Sequence, residues 1–497
     1  MMPKLLTGLL VAVLSLTLTT VARATPRSDA SPPATDTIGA AVIRADFEAL
    51  YSGLRQAHYD LYVHTPQAEY DRLYQQTLAS FDRPLSLFDI RIRFQRFVAA
   101  GRVAHANIAF PGEDFGTYRQ AGGTAIPITV AIDDGHIYIE DNQSGIAGLD
   151  PGDEIVSLNG ISASDWLTRL GRNISADTDY LNQALVELMF RPLLWLEAGS
   201  PERFRITLQK PDGRQVEVEI PALTMAETQT FADANPGTGT LSLDHSDRIA
   251  RLMDGGIAYL RPGPFYNATP GADSFDATTF HAFIDEAFAS FIAAGAGDVL
   301  IDLRQNPGGY DSFSNAMIAW FADQPFHFAS DLRIKVSPQA VAENAERVAA
   351  GAGAGDDTSL RLAAAYATAQ PGDVIHYDVP LIQPRPSGRY AGRVWVLVDR
   401  YSFSNAVNVA AVIQDYSFGR VLGEPTADLA TTYGAMEHFT LPRTGITVGF
   451  PKGHIIRPNG TLKAAGVTPD ILIPTPRVEG RDDPVLIAAL RAIADNP

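Results

Sequence analysis

Residues 394–398 read Val-Trp-Val-Leu-Val, and residues 402–413 read Ser-Phe-Ser-Asn-Ala-Val-Asn-Val-Ala-Ala-Val-Ile. The first run is apolar without polar alternation, which is typical of a strand buried on both faces of a parallel sheet. From Ser404 onward, small and apolar residues recur at helical spacing, so the pattern predicts a helix that begins at this serine. A hydroxyl there lies beside unpaired backbone N–H groups that could stabilise an oxyanion, although an ordinary N-cap serine fits the same pattern.

A second buried strand and turn lie upstream, at residues 299–309, which read Val-Leu-Ile-Asp-Leu-Arg-Gln-Asn-Pro-Gly-Gly. The Asn-Pro-Gly-Gly sequence predicts a turn with a permissive backbone, whose amide groups can point into a cleft. The backbone amides of Gly308 or Gly309, together with that of Asn405, are therefore candidate donors of an oxyanion hole.

The two motifs resemble those of the tail-specific, or C-terminal processing, serine peptidases and their tricorn-like relatives, which pair Asp-x-Arg-x-Asn-x-Gly-Gly with a later Ser-x-Ser-Ala. Residues 423–426 (Gly-Glu-Pro-Thr) and 466–470 (Gly-Val-Thr-Pro-Asp) continue the match in order and spacing. The resemblance implies an α/β protein with a ClpP/crotonase-like β-α-β catalytic core at residues 250–476. It also implies a serine-type endopeptidase that cleaves polypeptides through an acyl-enzyme on Ser404 and needs no cofactor.

A serine hydroxyl is a poor nucleophile without a general base. The sequence motifs do not by themselves identify which residue is that base. Processing peptidases carry a lysine about twenty-five residues after the serine, whereas residues 427–435 contain no lysine. Tricorn-like relatives use a histidine that follows an N-terminal helical segment, and His105 stands at that position. The glutamate that supports this histidine in the relatives is replaced by Lys463. Glu437 or Glu424 could substitute for it, Lys463 could itself be the base, or activity could be impaired.

The first 24 residues have the pattern of a secretory signal peptide. Lys4 provides the positive start, residues 5–21 are largely apolar, and Ala22-Arg23-Ala24 forms a cleavage site. Cleavage after Ala24 predicts a secreted or periplasmic protein with no membrane attachment. Residues 25–42 are predicted to form a flexible N-terminus because Pro, Ser and Ala are frequent there.

Composition excludes several classes of partner. The formal net charge of -18 over 497 residues argues against nucleic acid and anionic membranes, because phosphate binding needs clustered Lys and Arg. The hydrophobic fraction of 46% is that of an ordinary globular protein with two or three domains. Because the chain has no cysteine and no His-x-x-x-His motif, no metal site and no disulfide are predicted.

The remaining segments predict accessory domains around the core. Apolar stripes at helical spacing predict a helical domain at residues 43–110, with the histidine in its final loop. Residues 124–222 are predicted to be a PDZ-like, β-rich module, because Gly-Leu-Asp-Pro-Gly-Asp-Glu-Ile-Val-Ser-Leu-Asn-Gly at residues 148–160 is similar to the signature of such domains. An Ala-rich insertion of two helices is predicted at 335–375, and a C-terminal helix at 477–497.

Two functions without catalysis fit the same sequence. The PDZ-like module could capture extended peptides on a sheet edge, or it could be packed on the core with no free groove. The fold resemblance also extends to the retinoid-binding proteins of the vertebrate photoreceptor matrix, so a carrier of a lipophilic ligand is the other alternative.

Overall fold

The computed structural model describes residues 37–109, 112–234, 247–253, 255–351, 358–478 and 483–496. Over these residues the chain is a mixed α/β protein, as predicted, while the predicted signal peptide lies outside them. The predicted flexible N-terminus extends too far, because a helix begins at Ala40. Ile43 is completely buried on that helix, and its burial explains why the first turn is ordered.

An N-terminal helical domain forms around an aromatic core. Phe47 packs against Phe81, Phe94 and Phe97, with ring centroids 5.2, 5.3 and 4.8 Å away. Aromatic side chains bury large areas, so this cluster holds the helices together. The elements of this part of the chain are β1 (Thr37–Ile38), α1 (Ala40–Ala57), α2 (Gln67–Ala79), β2 (Leu85–Ser86), α3 (Leu87–Ala99), β3 (Asn107–Ile108) and α4 (Gly112–Gln120).

The predicted PDZ-like segment contains an antiparallel sheet in the order β4-β5-β6-β8-β9, with a short strand β7 paired to β6. Its elements are β4 (Ile128–Asp133), β5 (His136–Asn142), β6 (Glu154–Leu158), β7 (Ile161–Ser162), α5 (Ala163–Gly171), α6 (Asp179–Leu188), α7 (Phe190–Ala198), β8 (Arg203–Gln209), β9 (Gln215–Pro221) and α8 (Met225–Ala234). Three helices therefore separate β7 from β8, and the last two of them pack against the edge strand β4.

The C-terminal half is built on a sheet in the order β10-β11-β12-β17-β18-β21, in which all strands from β11 to β21 run parallel. Its elements are β10 (Ile249–Leu252), β11 (Ile257–Arg261), α9 (Thr278–Ala293), β12 (Asp298–Asp302), α10 (Asp311–Ile318), β17 (Arg393–Val398), α13 (Asn405–Asp415), β18 (Arg420–Gly423), β21 (Ile471–Leu472) and α14 (Pro484–Ala494). Helices α9, α10 and α13 cover one face of this sheet and α14 covers the other. Burial on both faces explains the unbroken apolar run in β17.

A second sheet connects the helical domain and the insertion to this core. It has the order β15-β14-β20-β19, and β3 pairs with β20. Its elements and those of the insertion are β13 (Phe326–His327), β14 (Asp331–Lys335), α11 (Pro338–Ala349), α12 (Thr358–Tyr366), β15 (Val374–Tyr377), β16 (Leu381–Ile382), β19 (Thr432–Thr440) and β20 (Thr447–Ile456). The pairing of Ile108 with Val448 places the loop that contains His105 against the core.

The topology brings the two sequence motifs to one edge of the parallel sheet. β12 and β17 are neighbours, so the turns that follow Asp302 and Val398 leave the sheet side by side. In open α/β sheets, sites form at this carboxyl edge. Within the part of the chain that the structure describes, no helix is both long and apolar enough to cross a membrane.

Candidate active site

Ser404 occupies a strained turn between β17 and α13. Its φ of 52° and ψ of -121° lie in a region that residues other than glycine rarely adopt. It is the N-cap of α13, yet its side chain makes no capping hydrogen bond. Its backbone N–H donates a hydrogen bond to Oδ2 of Asp428, at 2.5 Å. The hydroxyl is therefore not used to satisfy the helix end, and the residue is partly exposed.

The turn before Ser404 is held by a buried carboxylate. Oδ1 of Asp399 accepts hydrogen bonds from the backbone N–H groups of Gln305, Tyr401 and Ser402, at 3.1, 3.0 and 2.8 Å. Burial raises the pKa of Asp399 to about 7. The Ser402 hydroxyl is committed to the carbonyl of Leu303, at 2.8 Å, so the first serine of the motif has a structural role.

The predicted oxyanion-hole residues lie together, but their amides differ in availability. The N–H of Gly308 is donated to Oδ1 of Asn306, at 2.9 Å. Among the described residues, the backbone N–H groups of Gly309 and Asn405 have no hydrogen-bond acceptor. Gly308 is needed for close approach, since a Cβ there would lie 2.6 Å from both the nitrogen of Asn405 and the carbonyl oxygen of Phe403. The arrangement leaves two free donors at the Ser404 turn.

His105 lies at the same turn. Its ring stacks on that of Phe403, with centroids 5.1 Å apart and planes inclined by 26°. Phe403 directly precedes Ser404, so the imidazole packs against the residue next to the candidate nucleophile. The histidine is 4% exposed, and its Nδ1 is buried without a hydrogen-bond partner in the described part of the chain.

Asp428 is the acidic group at this turn. Burial raises the pKa of its carboxyl to about 6, against the lowering effect of the nearby His105. Its Oδ1 is buried and has no hydrogen-bond partner among the residues described. The stretch that lacks a lysine contains this carboxylate, which follows Ser404 by 24 residues and was not predicted from the sequence. Its position, where processing peptidases carry their lysine, could have indicated a residue of the site.

A second carboxylate holds the histidine loop. Oδ2 of Asp177 accepts the backbone N–H of Ala104, at 3.1 Å, and its Oδ1 lies 3.4 Å from Nε2 of His64. Its negative charge contributes to the raised pKa of Asp428. Asp177 comes from the connection between α5 and α6, and no sequence pattern had singled it out. The PDZ-like segment thus helps to place the residue before His105.

The two acids that the sequence offered as supporting groups form ion pairs elsewhere, and the lysine is exposed. Glu437 points toward α11 and forms buried ion pairs with Arg347 and Lys452, which corrects its predicted role beside the histidine. Lys463 lies in an exposed loop, because the chain between β20 and β21 runs along the surface. Glu424 forms an ion pair with an arginine of the turn before the serine.

Removing the charge of Glu437 is expected to destabilise the protein. Glu437 is 1% exposed, and Glu437→Gln would leave Lys452 buried with a weakened partner. Breaking a buried pair in this way costs about 3 kcal/mol of the free energy of unfolding. Urea denaturation measures the change. The control is Glu217→Gln, which removes an exposed pair with Arg205 and should leave the midpoint unchanged; equal midpoints for both variants would contradict the expectation.

Comparisons with known proteins agree with this architecture. Residues 258–473 match the family model for Peptidase family S41. The crystal structure of mature CPAF is 16% identical, with 89% of this chain and 94% of that chain covered and a TM-score of 0.60. Mature CPAF complexed with lactacystin gives 16% identity, 89% and 96% coverage and a TM-score of 0.58. The photosystem II D1 C-terminal processing protease is 15% identical, with 87% and 93% coverage and a TM-score of 0.42.

Proposed function

Because the chain belongs, through residues 258–473, to peptidase family S41 and so to the tail-specific serine peptidases, we propose that it cleaves polypeptides by acyl transfer with Ser404 as nucleophile. The observation that carries this assignment is the strained turn in which the Ser404 hydroxyl makes no capping hydrogen bond and the ring of His105 stacks on the adjacent Phe403. Membership of a serine peptidase family rests on the match of residues 258–473. The roles of the individual residues rest on the geometry of the turn.

In the proposed reaction, His105 removes the proton from the Ser404 hydroxyl as Oγ attacks the carbonyl carbon of the peptide bond. The carbonyl oxygen becomes an oxyanion, which the amides of Gly309 and Asn405 stabilise. The C–N bond then breaks, and the imidazolium returns its proton to the leaving amine. Water enters and hydrolyses the acyl-enzyme in the reverse sense, again with the imidazole as base.

Asp428 takes the place of the glutamate that the tricorn-like resemblance implied. Its ionised carboxylate lies near the histidine and favours the imidazolium that forms during attack. The same group holds the N–H of Ser404, so one side chain fixes the nucleophile and balances the charge of the base.

The proposed location is the periplasm or the cell exterior, and the proposed mode is endopeptidase cleavage. The signal-peptide pattern of the first 24 residues supports export. Polypeptides are the proposed substrates, consistent with a net charge of -18 that disfavours nucleic acid.

A fluorophosphonate tests the assignment, because it reacts only with an activated serine: an O–P bond forms at Oγ and fluoride leaves. The folded protein should be labelled once, and mass spectrometry should place the adduct on Ser404 and not on Ser402. Ser404→Ala should show no adduct. Absence of labelling on the folded wild type would overturn the assignment in favour of a carrier, and labelling that persists in Ser404→Ala would overturn Ser404 as the nucleophile.

A further inference from the structure

Strand β4 ends its sheet, and such an edge is where an extended peptide would add. In this protein, however, side chains already bind its backbone. Oε2 of Glu187 accepts the N–H of Ile132, at 2.6 Å, and Nη1 of Arg400 donates to the carbonyl of the same residue, at 2.9 Å. At the other end of the strand, Nε of Arg191 donates to the carbonyl of Ile128, at 2.9 Å.

Two of these side chains come from the extra helices of the module. Glu187 lies on α6 and Arg191 on α7, and both helices pack against β4. Both side chains are partly buried, and this burial lowers the pKa of Arg191 to about 10 and raises the pKa of Glu187 to about 7. A peptide that paired with β4 would have to displace two partly buried polar groups, and each would then lose its partners.

The same glutamate reaches the nucleophile turn. The hydroxyl of Tyr401 donates to Oε1 of Glu187, and Arg400 lies 3.5 Å from its Oε2. Arg400 in turn forms two hydrogen bonds of 3.0 Å with the carboxylate of Glu424. Glu187 therefore binds the sheet edge with one oxygen and, with the other, a residue three positions before Ser404.

We propose that the module of residues 124–222 permanently holds the Ser404 turn in position, with Glu187 as a positioning residue. The β4 edge then does not capture peptides. A turn with a positive φ at a residue other than glycine persists only where its surroundings determine it. Asp399 holds this turn from inside the core, and Glu187 holds it from the module. This inference rests on the proposed function, since it assumes that Ser404 is the nucleophile whose turn the module positions.

The first test measures fluorophosphonate labelling, with the maximal rate kinact separated from the inhibitor constant KI. Glu187→Ala is expected to lower kinact at least 10-fold with KI changed less than 2-fold, because the turn is displaced while the reagent site remains. Glu187→Gln should recover part of the loss, since a carboxamide oxygen can still accept from Ile132.

The matched control is Glu197→Gln. Glu197 lies on α7 in the same module and also forms two ion pairs, but its partners are Arg96 and Arg172, away from the turn. Its kinact should stay within 2-fold of the wild type. Wild-type kinact in Glu187→Ala, or equal losses in the Glu187 and Glu197 variants, would overturn the positioning role.

The second test follows amide hydrogen exchange in the full-length protein and needs no catalysis. The N–H of Ile132 should exchange at least 100-fold more slowly than the amides on the open side of β9, and Glu187→Ala should remove that protection. Equally fast exchange at both edges would overturn the closed edge. If the wild type is not labelled at all, the proposed function fails and takes the positioning role with it, while exchange still decides whether β4 is closed.

Discussion

Replacement of His105 with alanine is expected to lower the rate of fluorophosphonate labelling about 1,000-fold, because general-base catalysis by a positioned imidazole contributes on the order of 10² to 10⁴. The ring stacks on Phe403 at the serine turn, and among the described residues no other histidine ring stacks there. The loss should appear in kinact, since the reagent does not need the imidazole to bind.

The control for this prediction is His376→Ala. His376 is an exposed histidine on the edge strand β15 that pairs with Asp331 on β14, so its removal should leave labelling unchanged. Circular dichroism should show that both variants are folded. Labelling of folded His105→Ala at more than a tenth of the wild-type rate would mean that another group deprotonates the serine.

The serine turn was predictable because its determinants are local. The apolar run of β17, the helical spacing of α13 and the Asn-Pro-Gly-Gly turn each come from neighbouring residues, and the structure has all three at the predicted places. The position of His105, in contrast, is determined by contacts between distant parts of the chain. It depends on β3 pairing with β20, which joins Asn107 to Gly449 across most of the chain, and only a family resemblance indicated it.

The acidic partner was missed because its place at the site depends on tertiary contacts. Glu437 had a favourable place in the sequence, but alternation along β19 directs its side chain toward Arg347 of α11. Asp428 became the acid at the serine turn because the chain after β18 turns back over the N-terminus of α13. Which acid lies close to the serine turn is determined by tertiary packing and not by spacing in the chain.

The state of the module edge was likewise beyond sequence reasoning. The signature at residues 148–160 fitted an open or a closed groove equally well. The proposed closure depends in part on Arg400, which lies more than 200 residues away from Glu187 in the chain. Such a contact produces no sequence pattern in either segment from which it could be predicted.

Removal of the acidic charge at Asp428 is expected to lower kinact about 100-fold at a pH of about 7.5, because an isosteric amide cannot favour the imidazolium. Asp428→Asn keeps the size of the side chain and can still accept the N–H of Ser404. The control is Asp46→Asn in the helical domain, where an equally buried carboxylate accepts backbone N–H groups of residues 443 and 444. Its rate should stay within 2-fold of the wild type, and an equal rate in both variants would exclude a role for Asp428.

The pH profile separates this effect from unfolding. Burial raises the pKa of Asp428 to about 6, so the carboxylate is protonated, and its help to the imidazolium is lost, as the pH falls through about 6. A carboxyl whose pKa is higher in the folded than in the unfolded chain binds its proton more tightly when folded. This group therefore makes the fold more stable, not less, as the pH falls from about 6 toward about 4. Labelling should drop over this range, whereas the contribution of Asp428 to the thermal midpoint should not, and Asp428→Asn should change the shape of that part of the profile. A profile identical in shape to that of the wild type would show that the carboxylate does not act on the base.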